Sequence, residues 1–192
     1  LASPLRDVYK RQITLTELAT HRSGLPRLGY TSTAHRAEFF VRSILGRDPY
    51  DETDEDLIAI LNQQDLPDDP EPEYSNLGFA VLGMVLARAA GTDYPTLLED
   101  RILDPLELND TSLIWDEADL PSEPPLGYTV HGDRVEAWAM GASSPAGGIR
   151  SSSHDLAIWA SAVADGTAPG AAGFEPLDDY TKGRQIGMAW IT

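Results

Sequence analysis

Apolar residues recur at helical spacing through the first half of the chain, and the spacing changes in the second half. Thr14 followed by Glu17 has the spacing of a capping box, which predicts a short helix to about His21. Ser23-Gly24 stops it, and Pro26 prevents its resumption. A second helix is predicted over 33–45, with Phe39, Phe40, Ile44 and Leu45 as its apolar face. Asp48-Pro49 breaks it. A third, over 53–63, opens on acidic residues that suit a helix N-terminus and turns Leu57, Ile58, Ile60 and Leu61 inward. The stretch 76–90 is apolar on nearly every face, the pattern of a helix buried inside a domain of some size. Gly91 closes it. Gly78 and Gly83 each cost this helix roughly 1 kcal/mol against Ala, so their use is close packing on another element. A further helix is predicted over 93–103, with Pro95 in its first turn and Pro105 at its end.

After Asn109 the texture changes. A strand is predicted over 111–114 and a loop over 116–125. Segments 126–130 and 134–138 alternate around His131-Gly132-Asp133, which reads as a hairpin. Residues 141–148 are small and tight-turning, and 149–151 reads as a short strand. Ser153 is positioned to cap a helix over 154–164 with Leu156, Ile158, Trp159 and Val163 apolar. Thr181-Lys182-Gly183 reads as a turn before a last strand over 185–192.

Charge narrows the function classes. The chain has 192 residues, with 14 basic against 31 acidic side chains and a net charge of -17. No basic stripe is available to neutralise phosphates, so nucleic acid and anionic membrane surfaces are excluded as partners. The acidic stretch 48–73, which has no Lys or Arg, reads as a solvated surface around short helices. The apolar run 77–87 is too short to span a bilayer, and no membrane span is predicted. There is no cysteine, which removes thiolate nucleophiles, disulfides and Cys-based zinc sites. His21, His35, His131 and His154 lack zinc spacing, and nothing points to a metal or organic cofactor.

Candidate chemistry sits at Glu73-Tyr74-Ser75-Asn76, at the mouth of the buried helix. A tyrosine and an asparagine two residues apart can put two polar tips into one cleft. The plainer reading makes Tyr74 a core-edge tyrosine and Asn76 an N-cap. Other hydrolytic motifs are absent: G-x-S-x-G does not occur, and Gly141-Ala142-Ser143-Ser144-Pro145 has proline where the second glycine would be. Gly147-Gly148 could line a cleft or simply make a tight turn. His21 reads as a structural hydrogen-bonder.

Three stretches, in order, carry a resemblance. Residues 13–26 (ITLTELATHRSGLP), Tyr74-Ser75-Asn76 with the apolar helix behind it, and residues 145–156 (PAGGIRSSSHDL) resemble the serine β-lactamase-like family. That family includes class C β-lactamases, DD-peptidases and β-lactamase-like esterases. The resemblance implies a mixed α/β (α+β) fold in which a helical lobe packs on an antiparallel sheet. It implies an acyl-enzyme mechanism on an ester, β-lactam or D-amino-acid peptide, without a cofactor. A serine hydroxyl is a weak nucleophile until a base takes its proton, and the family draws serine and lysine from one Ser-x-x-Lys turn. By the same resemblance Tyr74 is the catalytic acid/base, Asn76 orients the substrate carbonyl or amide, Gly147 and Gly148 line the substrate cleft, and Ser75 is a spacer.

The departures from the family pattern are as specific. Neither Ser-x-x-Lys nor Lys-Thr-Gly nor His-x-Gly occurs. Residues 1–12 have no clean period, and their tail DVYKRQ is similar to translated adaptor sequence. They are read as non-native, and 13–192 as the central part of a β-lactamase-like serine hydrolase domain, incomplete at both ends. The expectation is that the parent protein is an enzyme while this chain alone is inactive. The alternative is a non-catalytic relative that binds peptide or cell-wall ligands. The resemblance favours a periplasmic or extracellular location; oligomeric state is left open.

Overall fold

The computed structural model describes residues 12–125 and 127–192. The adaptor-like tail lies outside the described residues, apart from Gln12.

Helix α1 (Leu15–Ala19) starts where the capping box predicts: the Thr14 hydroxyl accepts from the Glu17 N–H, and the Glu17 carboxylate accepts from the Thr14 N–H at 2.8 Å. Helix α2 (Thr33–Ile44) is capped by Ser32, and α3 (Asp54–Gln63) by a second capping box between Thr53 and Asp56. The predicted inward face of α2 needs correction. Only Phe39 is buried, edge-on to Tyr30 at 5.6 Å and Tyr50 at 5.4 Å, while Phe40, Ile44 and Leu45 are exposed. The helix touches its neighbours along one narrow line, and periodicity marks a wider stripe. Ile58 of α3 is likewise exposed, whereas Leu57 and Ile60 are buried.

Helix α4 (Asn76–Ala90) is the centre of the core. Its N-cap is Ser75, whose Oγ accepts from the Gly78 N–H at 2.8 Å and donates to the Pro26 carbonyl at 2.7 Å. The residue read as a spacer therefore fixes both the helix start and the 23–26 loop. Gly91 ends α4 at φ 74°, a conformation that suits a residue without Cβ. Leu77, Ala80, Val81 and Met84 of α4 pack with Leu18, Leu25, Leu57, Ile60 and Ala142 in one cluster. Each large apolar side chain buried there contributes about 1.5–3 kcal/mol. The Gly83 face of α4 lies directly on Pro145, so a Cβ at Gly83 would enter the proline ring.

Beyond α4 the backbone is less regular than predicted. Helix α5 (Tyr94–Leu98) widens into a π turn at Glu99–Leu103 and tightens into a 3-10 turn at Asp104–Leu106, with Pro105 inside that turn rather than beyond the helix end. Strand β1 (Ser112–Leu113) pairs antiparallel with β4 (Ile149–Arg150), and β2 (Gly127–Tyr128) with β3 (Arg134–Val135). Leu126, where the hairpin was predicted to begin, lies outside the described residues. Helix α6 (Ser153–Ala164) is capped by Ser152, one residue before the predicted cap. Its buried Asp155 ties α6 to β1, with Oδ2 accepting from the Asp110 N–H and the Thr111 hydroxyl, each at 2.8 Å. Burial pushes the Asp155 carboxyl up, but hydrogen bonds from Thr111, His154 and the Asp110 N–H outweigh it and hold the group below the usual range.

The last strand is a second correction. Only β6 (Gln185–Ile186) is regular, paired antiparallel with β5 (Asp178–Asp179). Ala189 turns left-handed at φ 68°, and Ile191 folds back to bridge Ile186. The Ala189 N–H bonds the Ala19 carbonyl at 2.9 Å, so the turn is held against the end of α1. The Thr181-Lys182-Gly183 turn forms as read, with Lys182 and Gly183 at positive φ.

Candidate active site

His21 organises the segment that carries Tyr74. It follows α1 in the left-handed region, at φ 57°. In that conformation its carbonyl accepts from the Glu73 N–H at 2.9 Å while its Nδ1 accepts from the Ser75 N–H at 3.2 Å. Tyr74 is thus held by backbone bonds on both sides. The imidazole packs on the Tyr74 ring at 4.6 Å and on Phe79 at 4.8 Å, and the Arg27 guanidinium lies over the Tyr74 ring at 5.5 Å. Tyr74 is 44% exposed. With His21, Phe79, Pro145, Gly147 and Ile149 it walls a cavity of about 330 Å³.

Asn76 borders a different space. Its N–H and that of Leu77 both bond the Arg27 carbonyl, at 3.1 and 3.3 Å. It borders a small cavity of about 20 Å³ shared with Glu52, Met140, Ser143 and Ala146. Ala146 lines both cavities, so Tyr74 and Asn76 border adjoining spaces. Gly147 borders the Tyr74 cavity and also a larger open cleft beside Trp138 and Arg150. Gly148 borders only that larger cleft among these three, and it is buried. A Cβ on it would lie 2.8 Å from the Cβ of Ser144. Ser144 is itself fixed by donating to the Ile114 carbonyl at 3.0 Å, so close packing alone accounts for Gly148.

The acidic stretch is not uniformly solvated. Asp48 and Glu52 are buried, and Asp48 accepts from the N–H groups of Tyr50 and Ala139. The Glu136 carboxylate accepts from the Asp48 N–H at 3.1 Å, and the Glu52 carbonyl from the Ala142 N–H at 3.2 Å. These bonds staple 48–52 to the loop that walls both cavities. No local pattern in the sequence distinguishes Glu52 from the exposed acids around it. Among the described residues no group of three or more His, Asp or Glu side chains could hold a metal ion.

Burial pushes the His21 imidazole below its ordinary value. The neutral ring accepts at Nδ1, which assigns its proton to Nε2. Protonation at Nδ1 would break the Ser75 bond. The unfolded chain therefore binds the proton first as pH falls. Stability from this group is complete above the unfolded value of about 6.5 and declines as pH drops from there to the folded value. Denaturant titrations between pH 7.5 and 5 will show that decline in the wild type and a shallower one in His21→Gln, whose amide oxygen can still accept. Equal slopes would remove His21 from the effect.

The family model described as Beta-lactamase matches residues 1–190. Beta-lactamase-like protein 2 of Dictyostelium discoideum is 30% identical over 155 residues, covering 77% of this chain and 26% of that protein. A D-alanyl-D-alanine-carboxypeptidase/endopeptidase, AmpH, of Escherichia coli (strain K12) is 38% identical over 100 residues, covering 52% of this chain and 24% of that protein. The chain thus spans about a quarter of the length of these relatives. Among solved structures, a beta-lactamase/D-alanine carboxypeptidase from Pseudomonas syringae superposes with a TM-score of 0.72 at 17% identity, covering 95% of this chain and 49% of that one. An octameric penicillin-binding protein homologue from Pyrococcus abyssi gives 0.69 at 23% identity, over 93% and 43%. At such identities the superpositions speak for the fold, which is the predicted mixture of helices and small antiparallel sheets. With a family match along nearly its whole length and that fold around the Tyr74 cavity, the chain belongs to the beta-lactamase family of serine hydrolases.

Proposed function

We propose that this chain supplies the tyrosine side of an acyl-enzyme site that acts on an ester, β-lactam or D-amino-acid peptide. The observation that carries the reading is Tyr74. Its ring is half-exposed yet held from His21, at the entrance of a buried helix and opposite the Pro145–Gly147 wall. Tyr74 takes the proton from the nucleophilic serine as the serine oxygen bonds to the acyl carbon. It returns that proton to the leaving nitrogen or oxygen. A phenol titrates near pH 10, so this task needs a cation at the hydroxyl. Arg27 stands over the ring face, and a lysine is required at the oxygen itself. Asn76 orients the substrate carbonyl, and Gly147 leaves space for the acyl part.

The 192 residues contain no Ser-x-x-Lys. On this reading the nucleophile and its lysine belong to the rest of the full-length protein, and the chain alone carries out no acyl transfer. The test is covalent trapping. Full-length protein is incubated separately with a fluorescent penicillin, an activated short-chain ester and a D-alanyl-D-alanine peptide, and its intact mass is followed. The expected result is one acyl adduct per molecule, or turnover, with at least one of the three, and none on the 192-residue chain. Neither adduct nor hydrolysis from full-length protein would leave a non-catalytic relative that binds cell-wall or peptide ligands.

A further inference from the structure

We propose that Arg27 is a specificity-determining residue of this site: its guanidinium, held beside Tyr74, takes a carboxylate on the acyl part of the substrate. The inference rests on the hydrolase reading and deepens it, because it names the charge that a preferred substrate carries.

The backbone of Arg27 is fixed to the start of α4. Its carbonyl accepts from the Asn76 N–H at 3.1 Å and from the Leu77 N–H at 3.3 Å. The carbonyl of the preceding Pro26 accepts from the Ser75 hydroxyl at 2.7 Å. The next two residues, Leu28 and Gly29, wall the small cavity that Asn76 and Tyr50 border. Gly29 is packed there so closely that a Cβ on it would run into the Ile60 side chain. The loop is therefore both bonded and packed, and the Arg27 side chain leaves it from a set point.

The side chain is positioned but has no acidic partner. The guanidinium carbon lies 5.5 Å from the centre of the Tyr74 ring, whose negative face attracts a cation. Arg27 is exposed, and among the described residues its side chain makes neither an ion pair nor a hydrogen bond. Glu73, next to Tyr74 in the chain, is exposed as well and is not paired with it. A guanidinium presents five N–H donors in a planar fork that matches a carboxylate. Its charge also reaches Tyr50. Burial raises the Tyr50 phenol, Glu52, Asp48 and Tyr30 add to this, and Arg27 acts against them.

The charge of the whole chain makes this cation matter. At a net charge of -17 the protein's own field repels anions. An anionic substrate that approaches Tyr74 needs a local cation to offset that field, and a neutral substrate does not. In the proposed reaction Tyr74 serves the leaving group, while Asn76, whose backbone is bonded to Arg27, orients the acyl carbonyl. A carboxylate that meets Arg27 beside Asn76 therefore belongs to the acyl part. An arginine that only steadied the Tyr74 ring would be indifferent to substrate charge.

The test uses the full-length protein with p-nitrophenyl hydrogen adipate and p-nitrophenyl hydrogen suberate. Each is paired with the neutral ester of equal chain length, p-nitrophenyl hexanoate or octanoate. The readout is the anionic-to-neutral ratio of kcat/KM, which cancels losses of folded enzyme and any effect of Arg27 on Tyr74 itself. Arg27→Met and Arg27→Gln are each expected to lower this ratio about fivefold for at least one pair, the upper range for an exposed ion pair. The fall should shrink as salt rises from about 0.01 to 1 M, where the Debye length shortens from about 30 to 3 Å. Ratios within about twofold of the wild type for both pairs would overturn the proposal. So would a fall that salt leaves unchanged, which marks lost packing. Should Arg27→Met fail to fold, Arg27→Gln decides alone. If the full-length protein cleaves none of the esters, the same ratio is read for carbenicillin against benzylpenicillin, which lacks the acyl-side carboxylate. Tyr74→Phe separates the two levels of the argument. If it silences all the substrates while the Arg27 variants keep the wild-type ratios, only the Arg27 inference falls; if it silences none, the hydrolase reading falls.

Discussion

Replacing Tyr74 with Phe in the full-length protein will lower kcat by about 10²–10⁴-fold, the usual range for loss of a positioned acid/base, with little change in KM or in stability. The substitution deletes one oxygen and keeps the ring. The contacts that hold the ring, His21 at 4.6 Å and the Arg27 guanidinium at 5.5 Å, are made by the ring and survive. The backbone bonds on either side, from Glu73 and Ser75 to His21, do not involve the side chain. Among the described residues the Tyr74 hydroxyl has no hydrogen-bond partner, so no buried group is stranded by its removal. Stability should change by less than about 1 kcal/mol, as for most half-exposed sites. A fall in kcat at constant Tm identifies proton transfer. Turnover within twofold of the wild type would take Tyr74 out of the mechanism and leave its ring a packing element beside His21.

Substitutions at Gly83 will destabilise the protein although they raise the helix propensity of α4. Glycine in a helix interior is disfavoured against alanine by about 1 kcal/mol, so on an open face Gly83→Ala would stabilise the protein. Here the added methyl would enter the ring of Pro145 and stand 3.1 Å from Cε2 of Tyr94. Neither neighbour can swing aside: one is a closed ring inside a 3-10 turn, and the other sits on α5, packed against α4. Overpacking of this kind costs about 1–3 kcal/mol, which outweighs the gain in helix propensity. Gly83→Ala should therefore lower stability by about 1 kcal/mol, and Gly83→Val by about 3 kcal/mol. Activity should fall with it, because Pro145 carries Ala146 and Gly147, the walls of both cavities. Denaturant unfolding of the two variants decides the matter. A Gly83→Ala protein more stable than the wild type would mean that α4 and the wall loop are not in rigid contact.

Both predictions depend on features of different visibility in the sequence. The helix start at Thr14 is legible, because a cap and its partner three residues on are chain neighbours, while the start of α3 is legible through its acidic first turn. So are α4 and Gly91, since a helix apolar on nearly all faces has few places to go but a core. The sequence also singles out Tyr74 and Asn76, through a short motif standing before that helix. It suggests that Gly83 packs closely without naming its partner.

The tertiary structure alone decides what faces what. Periodicity marks Phe40, Ile44 and Leu45 as apolar, yet only the neighbours of α2 determine that Phe39 is covered and the others are not. The final strand pattern breaks at Ala189 because a bond to Ala19, far away in the chain, holds the turn. Tyr74 and Asn76 border two adjoining cavities, and Ala146, from another part of the chain, lines both. Glu52 looks like any acid in an acidic run until loop 141–146 closes over it. Local bonds are written in short sequence spacings. Burial, cavity and orientation arise where distant segments meet, and no local spacing encodes those meetings.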